Sequence, residues 1–194
     1  MTDVIEFTDP GCIWSWSAEP EIAQLRTQPG VRWRRVFGVP ERGHEDPLPG
    51  WREVVAETGA ALTSDLHWIP ASMLPASLAA RAAEHQGRAI ADAVLLRLRE
   101  ATFRDGRPAD TREHVAEALR GLPGLDLARL LADLDSPDVV FSINADRAET
   151  RRPRPGALTR PEGNGARYVF PTLVVDGRPV SGWHALREYA GVVA

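Results

Sequence analysis

The chain has 194 residues, 43% of them apolar and 26% charged, with a formal net charge of −4. That length supports one domain, or one domain carrying a sizeable insertion, and a core that needs no covalent staples. The acidic balance gives no electrostatic footing for nucleic acid, and no apolar run nears the roughly 18 residues of a membrane span.

The opening stretch MTDVIEFTDP shows neither a basic nor an apolar leader pattern, so no secretory signal is expected. A lone cysteine, Cys12, cannot form an internal disulfide. It fits a reducing compartment, so a cytoplasmic location is expected.

Val4 to Thr8 reads as a short strand, ended by the turn signal Asp9-Pro10-Gly11. Cys12 to Thr27 follows as one helix, stopped by Pro29-Gly30. Val31 to Val39 reads as a second strand, so about 35 residues make a βαβ unit with a right-handed crossover. Gly38 to Gly50 is rich in proline and glycine and reads as a loop.

The middle of the chain is helical. Ala76 to Phe103 is rich in alanine and leucine and is weakened or broken at Gly87. Asp110 with Glu113 forms a capping-box pattern ahead of the next helix. Gly124 to Leu134 gives a short helix, and Ser136 followed by Pro137 opens another. Arg151 to Arg167 carries five arginines against one acid, Glu162, and reads as a mobile loop. Leu173 to Val175, Asp176-Gly177 and Arg178 to Ser181 form a β-hairpin, with Pro179 marking its second strand as an edge. Trp183 to Val192 closes the chain as a helix.

Trp33, Trp51, Trp68 and Trp183 are read as packing residues. No histidine has metal-ligand spacing with another ligand type. His67 is assigned to solvent or a satisfied core position, and His44, His85, His114 and His184 to the surface.

The order βαβ, helical insertion, ββα resembles the DsbA family of the thioredoxin superfamily, in its cytosolic FrnE-like branch. Residues Thr8, Asp9, Pro10, Cys12, Trp14, Trp16, Glu19 and Pro20 match that branch's motif around its Cys-x-x-Cys pair. The stretches SMLPASLAARAAEHQG, REATFRDGR and YVFPTLVVDG are also similar to it. The resemblance implies an α/β thioredoxin fold from residues 1–50 and 151–194, with 51–150 as an inserted all-helical subdomain. It also implies a cis Pro171, with Phe170 and Thr172 bordering the site and a backbone N–H and C=O free to pair with a substrate. Ser15 stands where the family has its second cysteine, and Ile13 where it has the motif's first proline.

A Cys-x-x-Cys pair works because the first thiolate attacks and the second thiol resolves the mixed disulfide. With Ser15, no internal disulfide can form. Cys12 lies at the start of a helix, where unpaired N–H groups and the helix dipole favour a thiolate. At i+3, Ser15 is expected to reach the sulfur and steady the anion. The competing reading is a buried, inert cysteine.

Trp14 is expected to be part-exposed and able to pack on a ligand, and Trp16 to face inward. Arg152 and Arg154 are candidates to hold a carboxylate-bearing thiol, such as glutathione, as co-substrate; a solvated linker is the alternative.

The activity expected is that of a monothiol thiol–disulfide oxidoreductase or disulfide isomerase. Its Cys12 adduct is resolved by an external thiol, its substrates are small-molecule or peptide disulfides, and no metal or tightly bound cofactor is involved. Two alternatives stand beside it. One is a thiol-cofactor-dependent transferase or isomerase using Ser15, as in kappa glutathione transferases and chromene-carboxylate isomerases. The other is a non-catalytic adaptor.

Overall fold

The computed structural model describes residues 1–40 and 45–193, so the expected surface position of His44 lies outside the described residues. The chain divides into two compact units, Met1–Gly38 with Ala145–Ala194, and Val39–Asn144. The sequence expectation drew these boundaries at 50/51 and 150/151. The observed division falls after Gly38 and, at Asn144/Ala145, inside a continuous helix.

In the first unit, β1 (Thr2–Thr8) is a central strand. It pairs in parallel with β2 (Val31–Phe37), from Thr2↔Val31 to Thr8↔Phe37. On its other side it pairs antiparallel with β5 (Thr172–Val175), and β5 pairs with β6 (Arg178–Ser181). The strand order is therefore β2-β1-β5-β6. Asp176 (φ 46°) and Gly177 (φ 85°) both take left-handed conformations, which is what a tight two-residue hairpin turn demands.

Both faces of the sheet are covered, so the alternation of side chains sorts apolar residues into two clusters. Val4, Leu173 and Val175 meet Ala18, Ile22, Leu25, Trp183, Leu186 and Ala190 on one face. Phe7, Val36 and Val174 meet Tyr168 and Phe170 on the other.

The expected single helix from Cys12 to Thr27 is two helices, α1 (Ile13–Ser17) and α2 (Glu19–Arg26), with Ala18 between them. Pro20 causes the break. It has no N–H to continue the ladder, and it sits in the first turn of α2, where the missing donor costs nothing. The buried face of α2, Ile22 and Leu25, packs with α9 (Trp183–Val193). Each fully buried side chain of this kind contributes about 1.5–3 kcal/mol.

The second unit is helical. It holds α3 (Leu48–Thr58), α4 (Leu74–Ala82), a short 3-10 turn (Ala83–Gln86), α5 (Arg88–Phe103), α6 (Arg112–Leu119), α7 (Leu127–Asp133) and the start of α8 (Pro137–Thr150). Gly87 takes φ 107° and divides the alanine-rich stretch. α4 packs on α5, α6 and α7.

The expected Asp110 cap is corrected. Thr111 caps α6, its Oγ1 accepting from the His114 N–H at 3.1 Å. Asp110 instead accepts from Trp68 Nε1 at 2.9 Å and pairs with His114 Nδ1 at 2.7 Å. Trp68 and His114 stack with centroids 4.0 Å apart, so His114 is half-buried rather than a free surface residue.

The arginine-rich stretch is likewise corrected, from a loop to a hairpin of β3 (Thr159–Glu162) and β4 (Gly165–Tyr168). Gly163 and Asn164 turn it, with Gly163 at φ 57°. Its like charges are relieved by Glu162, which pairs with Arg151 at 2.9 Å and Arg167 at 3.5 Å.

Candidate functional site

β1 delivers the chain into the Asp9-Pro10-Gly11 turn, and the turn's geometry is fixed by the buried Asp9. Its Oδ1 accepts from the Gly11 N–H at 2.9 Å, and its carbonyl accepts from the Cys12 N–H at 3.1 Å. Cys12 is the N-cap of α1, with extended backbone angles (φ −90°, ψ 114°) and a half-exposed side chain. Its Sγ lies 3.5 Å from the Phe170 carbonyl, to which the thiol donates. The Phe170–Pro171 peptide bond is cis. The cysteine and the proline turn, 158 positions apart in sequence, therefore meet at one place because β1 and β5 are neighbours.

Ser15 does not make the expected contact with the sulfur. It is fully buried, and its Oγ has no hydrogen-bond partner among the described residues. The sulfur's hydrogen bond goes instead to the Phe170 carbonyl.

Other expected site residues also land differently. The Phe170 ring is buried, and the ring lies where a Cβ on Gly38 would be, so only glycine fits at position 38. Phe170 takes the thiol's hydrogen bond on its backbone carbonyl. Thr172 is fully buried; its Oγ1 donates to Val169 O at 2.8 Å and lies 3.0 Å from Ser181 Oγ. The Pro171 carbonyl already accepts from the Gly182 N–H at 2.8 Å. Trp14 is half-buried against the cluster containing Ala18 and Trp183, while Trp16 is buried.

Arg152 and Arg154 are exposed. The Arg154 guanidinium lies beside Gly177, at the far turn of the β5–β6 hairpin. The length of β5, about 13 Å at 3.3 Å per residue, separates that turn from Pro171.

The arginine that does reach the site is Arg167. Its guanidinium stacks 4.6 Å from the centre of the Phe170 ring, and its Nη1 donates to the Tyr168 carbonyl at 2.8 Å. Burial pushes Arg167 below the ordinary arginine range. The charges of Glu162, Cys12 and Asp9 pull it back up, and Arg160 across the hairpin pushes it down. The signal for it in the sequence is its position three residues before Phe170, in the stretch RYVFP.

Among the described residues, no group of three or more His, Cys, Asp and Glu side chains is placed to hold a metal, and no helix is long and apolar enough to cross a membrane.

A βαβ half and a ββα half on one sheet, with a cysteine opening the first helix against a cis-proline turn, define a thioredoxin-type fold. The chain belongs to the thioredoxin family, whose model, described as Thioredoxin, matches residues 6–151. Its fold is the DsbA-like form. The chain is similar to the cytosolic disulfide reductase DsbM from Pseudomonas aeruginosa with GSH (TM-score 0.73, 19% identity, 98% of each chain covered). It is also similar to the oxidoreductase DsbA from Xylella fastidiosa (TM-score 0.59, 20% identity, 99% of this chain and 84% of that one). Among curated proteins it is 30% identical over 155 residues to the ClpXP adapter protein SpxH of Shouchella clausii. That match covers 74% of this chain and 51% of SpxH, so the chain spans about half the length of the curated relative it matches.

Proposed function

We propose that this protein is a monothiol thiol–disulfide oxidoreductase acting in a reducing, cytoplasmic setting. The observation that carries the reading is the Cys12 sulfur, on a partly buried residue, 3.5 Å from the Phe170 carbonyl at the cis-proline turn. The Cys12 thiolate attacks one sulfur of a substrate disulfide. A Cys12–substrate disulfide forms, the substrate's S–S bond breaks, and the second substrate sulfur leaves as a thiolate. An external thiolate then attacks the substrate sulfur of the adduct and frees Cys12 as a thiolate. No net electrons stay on the protein.

The external thiol is of the small, glutathione-like class, a reading supported by the likeness to the DsbM structure with GSH. The Phe170 N–H has no acceptor among the described residues and offers a substrate one strand-like hydrogen bond. A transferase centred on Ser15 is disfavoured, because a fully buried hydroxyl cannot touch a cofactor's sulfur.

The test is reduction of a glutathionylated peptide by glutathione. Cys12→Ser abolishes catalysis and Ser15→Ala retains it within a few-fold. Catalysis that survives Cys12→Ser overturns the proposal.

The likeness to SpxH supports a second reading, an adaptor. It is joined by Phe141, 76% exposed next to Val140 on α8. Binding of a purified client that survives Cys12→Ser but is lost in Phe141→Asp favours that reading over the first.

A further inference from the structure

The helix that follows Cys12 has five residues, too short to supply a full macrodipole, and the Cys12 side chain makes no capping hydrogen bond to the helix's N–H groups. Deprotonation also reverses the meaning of the contact with Phe170. A thiol donates to that carbonyl, whereas a thiolate at 3.5 Å faces the negative end of the same dipole. Ser15 gives the sulfur no bond. A thiolate at this position needs a cation, and the fold sets a guanidinium on the ring of the residue whose carbonyl meets the sulfur.

We infer that Arg167 is the positioning residue that holds Cys12 as a thiolate, and that the β3–β4 hairpin exists at this place to present it. The inference rests on the reading of Cys12 as nucleophile. Three contacts fix the guanidinium: the face of the Phe170 ring at 4.6 Å, the Tyr168 carbonyl at 2.8 Å and Glu162 at 3.5 Å. The ring it covers belongs to the residue whose carbonyl meets the thiol. Tyr168 is itself locked, stacked on Phe7 of β1 at 4.0 Å and accepting from the Arg154 N–H at 2.9 Å. The platform under the cation is therefore tied to the strand that leads to Cys12.

The charged groups facing this arrangement are Asp9, from the turn after β1, and Glu162 and Arg160, from β3. Asp9 opposes the thiolate. Glu162 competes with it for Arg167, and Arg160 raises the local positive potential. Because Arg167 is half-buried, its field is screened by salt less than that of an exposed charge.

The experiment is the rate of Cys12 alkylation by neutral iodoacetamide against pH, which reads the thiolate without requiring turnover. Arg167→Met keeps an apolar stem on Phe170 and removes the charge. It moves the alkylation midpoint up by about one pH unit, a roughly tenfold smaller thiolate fraction at neutral pH. Arg167→Lys restores at least half of that shift, and Glu162→Gln, which removes the competing anion, moves the midpoint down. A midpoint unchanged in Arg167→Met, or equal shifts in the Met and Lys variants, overturns the inference. So does Glu162→Gln leaving the midpoint in place, and that variant decides the matter if Arg167→Met fails to fold. Loss of peptide deglutathionylation with these shifts intact counts against the oxidoreductase reading alone.

Discussion

Replacing Gly38 by alanine tests whether the core and the site are one piece. The new methyl group falls on the Phe170 ring, which is 7% exposed and boxed between Gly38 and the Arg167 guanidinium. Over-packing a filled position costs about 1–3 kcal/mol. With an unfolding entropy of about 2.1 cal/mol/K per residue, this chain changes by roughly 0.4 kcal/mol per degree. The expected loss in Tm is therefore about 2–7 °C. The ring cannot yield alone, because its carbonyl holds the Cys12 thiol and its face carries Arg167. The alkylation profile of Cys12 should therefore shift together with the melt. A double-mutant cycle isolates the clash: Phe170→Leu vacates part of the space, so Gly38→Ala should cost less in that background, with a coupling of about 1 kcal/mol. Costs that add within about 0.5 kcal/mol would refute direct contact between the two positions.

Two further outcomes follow from other parts of the chain. Asp110→Ala leaves the Trp68 indole N–H and the His114 Nδ1 without their shared acceptor, and should cost about 1–3 kcal/mol. Loss of the 4.0 Å ring stack should appear as a changed near-UV circular dichroism signal, and an unchanged signal would show that Asp110 does not set the rings. At the surface, hydrogen bonds from Arg32 at 2.6 Å hold the Asp3 carboxyl below its ordinary 3.8. The pair's contribution is thus complete above the unfolded value and fades as pH falls through the lower folded one. Asp3→Asn should therefore flatten the acid limb of stability against pH, by a small loss at neutral pH with stability in acid unchanged; an acid limb identical to wild type would discount the pair.

The sheet was legible because its strands carry strong local signals. The Asp-Pro-Gly turn after β1, the Asp176-Gly177 hairpin and the buried apolar runs of β1 and β5 all agree with one fold. The β3–β4 hairpin was not legible, because its first strand is mostly exposed and both strands are short and carry arginine in place of an apolar run. Its order comes from contacts remote in sequence or sparse within it, such as Glu162 with Arg151 and the Val169 N–H bonded to Leu158 O at 3.1 Å. The motif located Cys12 and Pro171. It could not give the direction of either thiol or hydroxyl, since the thiol's partner is the Phe170 carbonyl, 158 positions away in sequence. Charge counting found the arginines of the 151–167 stretch and favoured Arg152 and Arg154, whereas it is Arg167 that lies on the Phe170 ring. A side chain's reach depends on strand register, and the pairing of Arg160 with Arg167 had no sequence signal of its own.

Having one sulfur changes the kinetics more than the chemistry. A second thiol in the same active site attacks at an effective concentration that can reach about 10⁵ M, whereas an external thiol acts only at its bulk concentration. Under the proposed function, the Cys12 adduct therefore persists until a small thiol arrives, and its decay rate should rise linearly with that thiol's concentration. Introducing Ser15→Cys puts a resolving thiol in the buried space now held by an unpartnered hydroxyl, and should make the decay independent of external thiol. If adduct decay in Ser15→Cys still tracks external thiol, the new sulfur cannot reach Cys12. The direction of the thiol toward Phe170, and not the missing atom alone, would then be what commits this protein to external resolution. A long-lived adduct also bears on the adaptor reading, because a protein that holds its substrate covalently until a thiol arrives can present it to a partner in the meantime.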